Sequence, residues 1–136
     1  MNWKIIFQLS VFGLIMSVAT VFLIPEAVEP VFWIAIFIFS AYIIAKAVNK
    51  KHFLHGFCLS LINCAWITAA HLIFYSTYIV NHPGVAKMST QYPFLPAHPR
   101  LATLLIAPVF GMISGLILGL FSFIASLIVK KKSPAL

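Results

Sequence analysis

The sequence contains no aspartate and only two glutamates, Glu26 and Glu29, both in one short segment between apolar runs. That scarcity removes carboxylate dyads, HExxH zinc sites, Ser-His-Asp triads and Mg²⁺-dependent phosphoryl transfer, and points away from an enzyme. Cysteine is nearly as rare. Cys58 and Cys64 lie on different sides of one expected helix, so they form neither a disulfide with each other nor a CxxC redox pair. No internal repeat stands out, which leaves an inverted-repeat transporter fold without support. Charged residues make up only 8% of the 136, against about 25% in a soluble globular domain.

What fills the chain instead is hydrocarbon: 62% of residues are hydrophobic and the mean hydropathy is +1.07. Four apolar runs are expected to span a bilayer, at about 5–24, 29–48, 53–80 and 101–129, since a helix rises about 1.5 Å per residue and the hydrocarbon core is about 30 Å thick. Alternating strands of about ten residues are absent, so the spans are helices. The first run follows Lys4 as a signal peptide would, but its apolar core exceeds the usual h-region of about 7–15 residues and it is read as a span. Pro25 stops that span, and Pro30 suits the first turn of the next. The outer loop 81–100 carries four prolines and reads as extended, folding back over the bundle through Tyr92, Phe94 and Leu95. The expected fold is a single all-α integral membrane domain, an up-down four-helix transmembrane bundle.

Lys4, Lys46, Lys50, Lys51, Lys130, Lys131 and Lys132 fall on one side of that bundle, and Lys87 and Arg100 on the other. The asymmetry places both termini in the cytoplasm. The net charge of +7 comes from residues at helix ends, where they snorkel and meet anionic lipid, so it implies the lipid bilayer as partner and no nucleic acid.

Small residues form two strips. In FGMISGLILGLFS, Gly111, Gly115 and Gly119 align with Ser122 within about 80° on the last helix, and Ser10, Gly13, Ser17 and Thr20 align on the first. Since lipid tails are as apolar as leucine, membrane helices associate by close packing, which small residues allow. Gly13 and Gly119 stand at similar depth, as do Ser17 and Gly115. The strips are therefore expected to pair as a seam between the first and last helices, in preference to a homodimer.

The third run is the polar one. Ser60, Asn63, Thr68, His71, Tyr75 and Tyr78, with Cys64 among them, fall within about 140° of its helical wheel. Such a stripe faces a bundle interior, a partner or water, because lipid offers its groups no hydrogen bonds. His71 is the sharpest candidate, an ionisable group deep in a span; the structural alternative is a neutral imidazole tying helices together, and no acid lies in any span to pair with it. Asn63 reads as interhelical glue, or as pore lining if a pore exists. Cys64 and His71 are about two turns apart, too far for direct hydrogen bonding. Two axial haem ligands at His55 and His71 on one straight helix cannot grip opposite faces of a porphyrin. His52 and His55, with Cys58, lack the further ligand a zinc site needs, and His82 and His98 would meet only if the outer loop folds back. No metal or cofactor is expected.

FLHGFCLSL at the start of the third helix, Tyr75 and Tyr78 near its outer end, the proline-containing loop, and GMISGLILGLFSFIASLIVKKK closing at lysines resemble an uncharacterised family of small four-helix bacterial inner-membrane proteins. The resemblance covers Phe53 to Lys132 and rests on hydropathy and glycine placement. It implies a bacterial cytoplasmic membrane and carries no activity or site residue. The expected function is a non-enzymatic accessory or scaffolding subunit that works by lateral helix contact with a membrane-protein partner or by self-association. The alternative is a small oligomeric transporter or channel lined by the polar stripe.

Overall fold

A computed structural model describes residues 1–91 and 97–129. Its described residues form six helices: α1 (Trp3–Phe22), α2 (Glu29–Ala47), α3 (His52–Ile73), α4 (Tyr75–Asn81), α5 (Pro83–Gln91) and α6 (Pro99–Ile128). Four of them, α1, α2, α3 and α6, are long and apolar enough to cross a membrane, as expected of a membrane protein.

The boundaries follow local chemistry. Asn2 caps α1, its side-chain oxygen accepting from the Ile5 N–H at 3.3 Å. Proline then ends α1 and opens α2, where Pro30 sits in the first turn without a missing bond. The expected third span is broken: α3 stops at Ile73 and the chain bends at Phe74 (φ −106°, ψ 35°) before α4. No glycine or proline marks that bend. Phe74 packs edge-on against Phe22 at 5.0 Å, and Asn81 donates to the Val21 carbonyl at 2.6 Å, so α4 follows the end of α1. The outer segment also differs from the extended form expected, because residues 83–91 are the helix α5, with the Gly84 N–H donating to Glu26 at 3.0 Å. Tyr92, Phe94 and Leu95 lie outside the described residues.

α3 is the centre of the bundle. It packs against α6 on one face and α1 on the neighbouring face, while α2 lies mainly against α6. α1 runs alongside α3 in the same direction: Asn2 meets His55, Gly13 lies over Asn63, and Val21 meets Asn81. A core of Ile6, Leu9, Ala41, Ile44, Val48, Leu59 and Leu118 closes the lysine-rich end. α2 contributes only Ser40, Ala41, Ile44 and Ala45 to the interior, all in its second half. Phe7, Ile15, Val31, Ile34, Ile38, Phe110 and Leu127 face outward, as the lipid-facing side of each span requires.

The two strips of small residues do not meet. A Cβ on Gly111 would stand 2.8 Å from Cys64 Sγ, one on Gly115 2.8 Å from the Phe57 ring, and one on Gly119 2.9 Å from the Phe53 ring; all three partners are on α3. Gly13, in the middle of the α1 strip, is covered by Asn63, also on α3. The seam expected between the first and last helices is thus replaced by two seams, one on each side of α3, and α1 and α6 share no substantial contact among the described residues. The physical reason is the partner surface. A strip packs best where the facing helix offers something that fills it, and α3 supplies Phe53, Phe57 and Cys64 to one strip and Asn63 to the other.

The strip hydroxyls do not act as interhelical glue. Ser10, Ser17, Thr20 and Ser122 each donate to a carbonyl of their own helix, at 2.8, 2.7, 3.0 and 2.8 Å, which satisfies the hydroxyl and leaves a small, effectively apolar surface. The closest approach of a glycine to the backbone of another helix is one the glycine pattern of the last helix did not reveal. Gly56 on α3 faces the Leu118 carbonyl of α6, and a Cβ there would stand 2.6 Å from that oxygen.

Candidate functional site

The six residues of the expected polar stripe are not equivalent. At the lower end, Ser60 is buried, 2.8 Å from Ser114 Oγ on α6. Ser114 donates its only proton to its own helix, to the Phe110 carbonyl at 2.8 Å, so the Ser60 hydroxyl is the donor between them. Thr68 is turned back on α3, donating to the Cys64 carbonyl at 2.7 Å, and the Cys64 thiol donates to the Ala107 carbonyl of α6 at 3.1 Å. Ser60 and Cys64 are thus accounted for by hydrogen bonds between α3 and α6, and Thr68 by one within α3.

Asn63 and His71 are different. Asn63 is 2% exposed and His71 8%, and among the described residues neither the Asn63 amide oxygen and nitrogen nor His71 Nε2 has a hydrogen-bond partner. Ser40 on α2 joins them: it is fully buried, and unlike the strip serines it does not bond back to its own helix. Each such group costs several kcal/mol in an apolar interior if nothing satisfies it. Gly13 keeps the space beside Asn63 free of any Cβ.

Above His71 the polar face continues as a ladder of rings. His71 stacks on Tyr78 with centroids 3.8 Å apart and planes at 19°, and Tyr78 stands 4.2 Å from the His82 ring. His82 is 1% exposed; its Nδ1–H donates to the Tyr78 carbonyl at 2.9 Å, and its Nε2 lies 3.0 Å from Glu29 Oε2. Because a carbonyl only accepts, Nδ1 holds a proton, and a further single proton sits between Nε2 and the carboxylate. Trp33 Nε1–H completes the carboxylate, donating to Glu29 Oε1 at 3.3 Å. The structure therefore brings an acid to a histidine in the way the span sequences alone exclude: Glu29 reaches in from the first turn of α2, to His82 and not to His71.

The sequence pattern paired His82 only with His98 and gave no role at the site to Glu29 or Ser40. One signal was available for the Glu29–His82 pair. The chain has just two acids, and both sit at the end of the bundle where His82 follows the third run.

The remaining histidines separate. His52 Nε2 lies 2.9 Å from the Val48 carbonyl, and His55 is held by the Lys51 carbonyl (2.8 Å) and the Asn2 N–H (2.9 Å), so these two do not form a pair for a metal. His98 is exposed and lies beside Tyr75, Pro99 and Arg100 around an outer depression of about 370 Å³, while both nitrogens of His82 are engaged elsewhere. Tyr75 itself carries the Arg100 guanidinium 5.5 Å above its ring. A second depression, of about 500 Å³, opens at the other end, with buried His55 on its lining.

The polar face of α3 and α4 thus has a buried middle at Asn63 and His71, and a depression lies at each end of the bundle. Chemically, its Asn63 amide and His71 imidazole, like the Ser40 hydroxyl on α2, can hold water or a small polar solute by hydrogen bonds, and the imidazole can accept and return a proton. Comparison with family models, with curated proteins and with solved structures finds no match to this chain.

Proposed function

We propose that this is a small multi-pass membrane protein that conducts a proton or another small polar solute along the inner face of α3. The observation that carries the proposal is the set of buried, unpartnered polar groups at Ser40, Asn63 and His71, lying between a depression at each end of the bundle. In an interior where every other hydroxyl of the small-residue strips is satisfied within its own helix, groups left open in this way are a recognition surface. Both termini lie on the cytoplasmic side in this reading, with the helices up and down across a bacterial cytoplasmic membrane, as the lysine asymmetry and the family resemblance imply.

An accessory-subunit role ranks second. It rested on the scarcity of catalytic parts together with the strips of small residues as packing faces, and both strips close on α3. What is left for a partner is the bulky outer surface of α1, α2 and α6, which suits acyl chains equally well. Crosslinking in native membranes followed by mass spectrometry tests it: one partner recovered in fixed ratio through those outer faces would reverse the ranking.

For conduction, the protein is reconstituted into liposomes loaded with a pH-sensitive dye, and the relaxation of an imposed pH step is followed, with osmotic shrinkage by small polar solutes as a second readout. Asn63→Leu and His71→Leu are each expected to bring the rate down to that of protein-free liposomes. Rates unchanged by both substitutions would defeat the proposal.

A further inference from the structure

The depression of about 500 Å³ at the lysine-rich end lies where α1 begins, α2 ends and α3 begins, and its lining includes Asn2, Trp3, Asn49, Lys50, Lys51 and His55. Its electrostatics are one-sided. The only acidic side chains of the sequence stand at the opposite end of the bundle, Glu29 against His82 and Glu26 against the Gly84 N–H, so among the described residues no acidic side chain opposes Lys50 and Lys51. Lys46 at the end of α2 is turned aside, with Nζ 4.9 Å over the Tyr42 ring.

The floor is fixed. His55 is 2% exposed; its Nε2 accepts from the Asn2 N–H, so its proton is on Nδ1 and is donated to the Lys51 carbonyl. One neutral imidazole therefore ties the start of α1 to the start of α3 and holds the two walls at a set spacing. At the rim, Trp3 is 51% exposed, the placement of an amphipathic indole at the boundary between acyl chains and headgroups, and Leu54 presents an exposed apolar side chain from the first turn of α3.

We infer that this depression binds the phosphate of an anionic phospholipid, with Lys50 and Lys51 as its cationic contacts and the acyl chains leaving past Trp3. A concave site at the membrane boundary that is lined by two lysines and, among the described residues, by no acid recognises an anion of this kind, and phosphate oxygens are the acceptors a lipid headgroup brings there.

The test uses the full chain purified in neutral detergent, with lipid retention measured by native mass spectrometry after addition of phosphatidylglycerol, phosphatidylcholine or inorganic phosphate. Phosphatidylglycerol is expected to be retained in preference to phosphatidylcholine and to be released by high salt. The double variant Lys50→Gln/Lys51→Asn keeps a residue that tolerates the left-handed backbone of Lys51 (φ 60°) and is expected to bind phosphatidylglycerol about 30-fold more weakly, the loss for two lysines at a headgroup. Lys87→Gln/Arg100→Gln, at the other end, should bind as the unaltered protein does. Competition by inorganic phosphate would show that the site takes the free anion as well as the lipid; its absence would show that the lipid is required. Equal retention of the two lipids, or of phosphatidylglycerol by the Lys50/Lys51 variant, overturns the inference, and salt release from the unaltered protein checks it independently of whether that variant inserts.

Discussion

Replacing Gly56 with alanine should destabilise the bundle more than any other glycine-to-alanine change in the described chain. The added Cβ would stand 2.6 Å from the Leu118 carbonyl oxygen, 2.9 Å from its carbon and 2.5 Å from Ser122 Oγ. The first two are backbone atoms of a helix, so no rotamer change removes the clash. An ordinary carbon–oxygen contact is about 3.3 Å, so α3 and α6 must part by about 0.7 Å along their main seam. Overpacking of this kind costs about 1–3 kcal/mol, and alanine returns about 0.5–1 kcal/mol of helix preference. The net loss is about 1–2 kcal/mol, a fall of about 5 °C in the unfolding midpoint. Heating the detergent-solubilised protein with a thiol-reactive dye gives the readout, because Cys58 and Cys64 are half-buried on α3 and react as it becomes exposed. Gly84→Ala is the control: its Cβ would meet only the Glu26 side chain, which can swing away, and the midpoint should hardly move. If Gly56→Ala melts with or above the unaltered protein, α3 and α6 do not approach this closely, and the glycines of α6 do not pack against α3.

Other consequences can be measured on the same preparation. The Glu29–His82 pair should show a coupling of about 1–3 kcal/mol in a double-mutant cycle of Glu29→Leu and His82→Leu, since Glu29→Leu leaves the Nε2 of buried His82 without its partner and His82→Leu leaves a partly buried carboxylate without its ring; additive effects would refute the pairing. Asn63→Leu should leave the unfolding midpoint unchanged or raise it, since it removes a buried amide with no partner, while abolishing conduction; a drop of more than about 2 kcal/mol would mean the amide is structural glue after all. With Cys58 and Cys64 replaced by serine, Ser60→Cys/Ser114→Cys should crosslink on oxidation because the two hydroxyls stand 2.8 Å apart, and Ser17→Cys/Gly115→Cys should not. The opposite pattern would restore a direct seam between α1 and α6.

Much of the fold is legible in the chain because membrane insertion is a one-dimensional problem. Run length, proline position and lysine placement act locally, and helices α1, α2, α3 and α6 appear where the apolar runs predict them. The interior was legible only in part. The wheel gathers Ser60, Asn63 and His71 on one side of α3, where all three are buried, but it ranks them alike, whereas Ser60 has a partner in Ser114 and Asn63 has none among the described residues. Whether a polar group is satisfied depends on what the next helix offers at the same height, and no periodicity within one helix carries that information. The bend at Phe74 was hidden for the same reason, since it follows contacts with Phe22 and Val21 and no residue at the bend itself forces it.

The sequence by itself determined the solvent, the number of spans, the small-residue faces of α1 and α6 and the polar face of α3, all properties of single helices in lipid. Only the tertiary structure decided which helix those faces meet. With α3 between α1 and α6, the glycines of FGMISGLILGLFS and the strip around Gly13 become two walls on one central helix, and Glu29 arrives at His82 from a turn 53 residues away. Neighbour choice is a competition among surfaces from the whole chain, and the surface that wins is the one whose shape fills the gap.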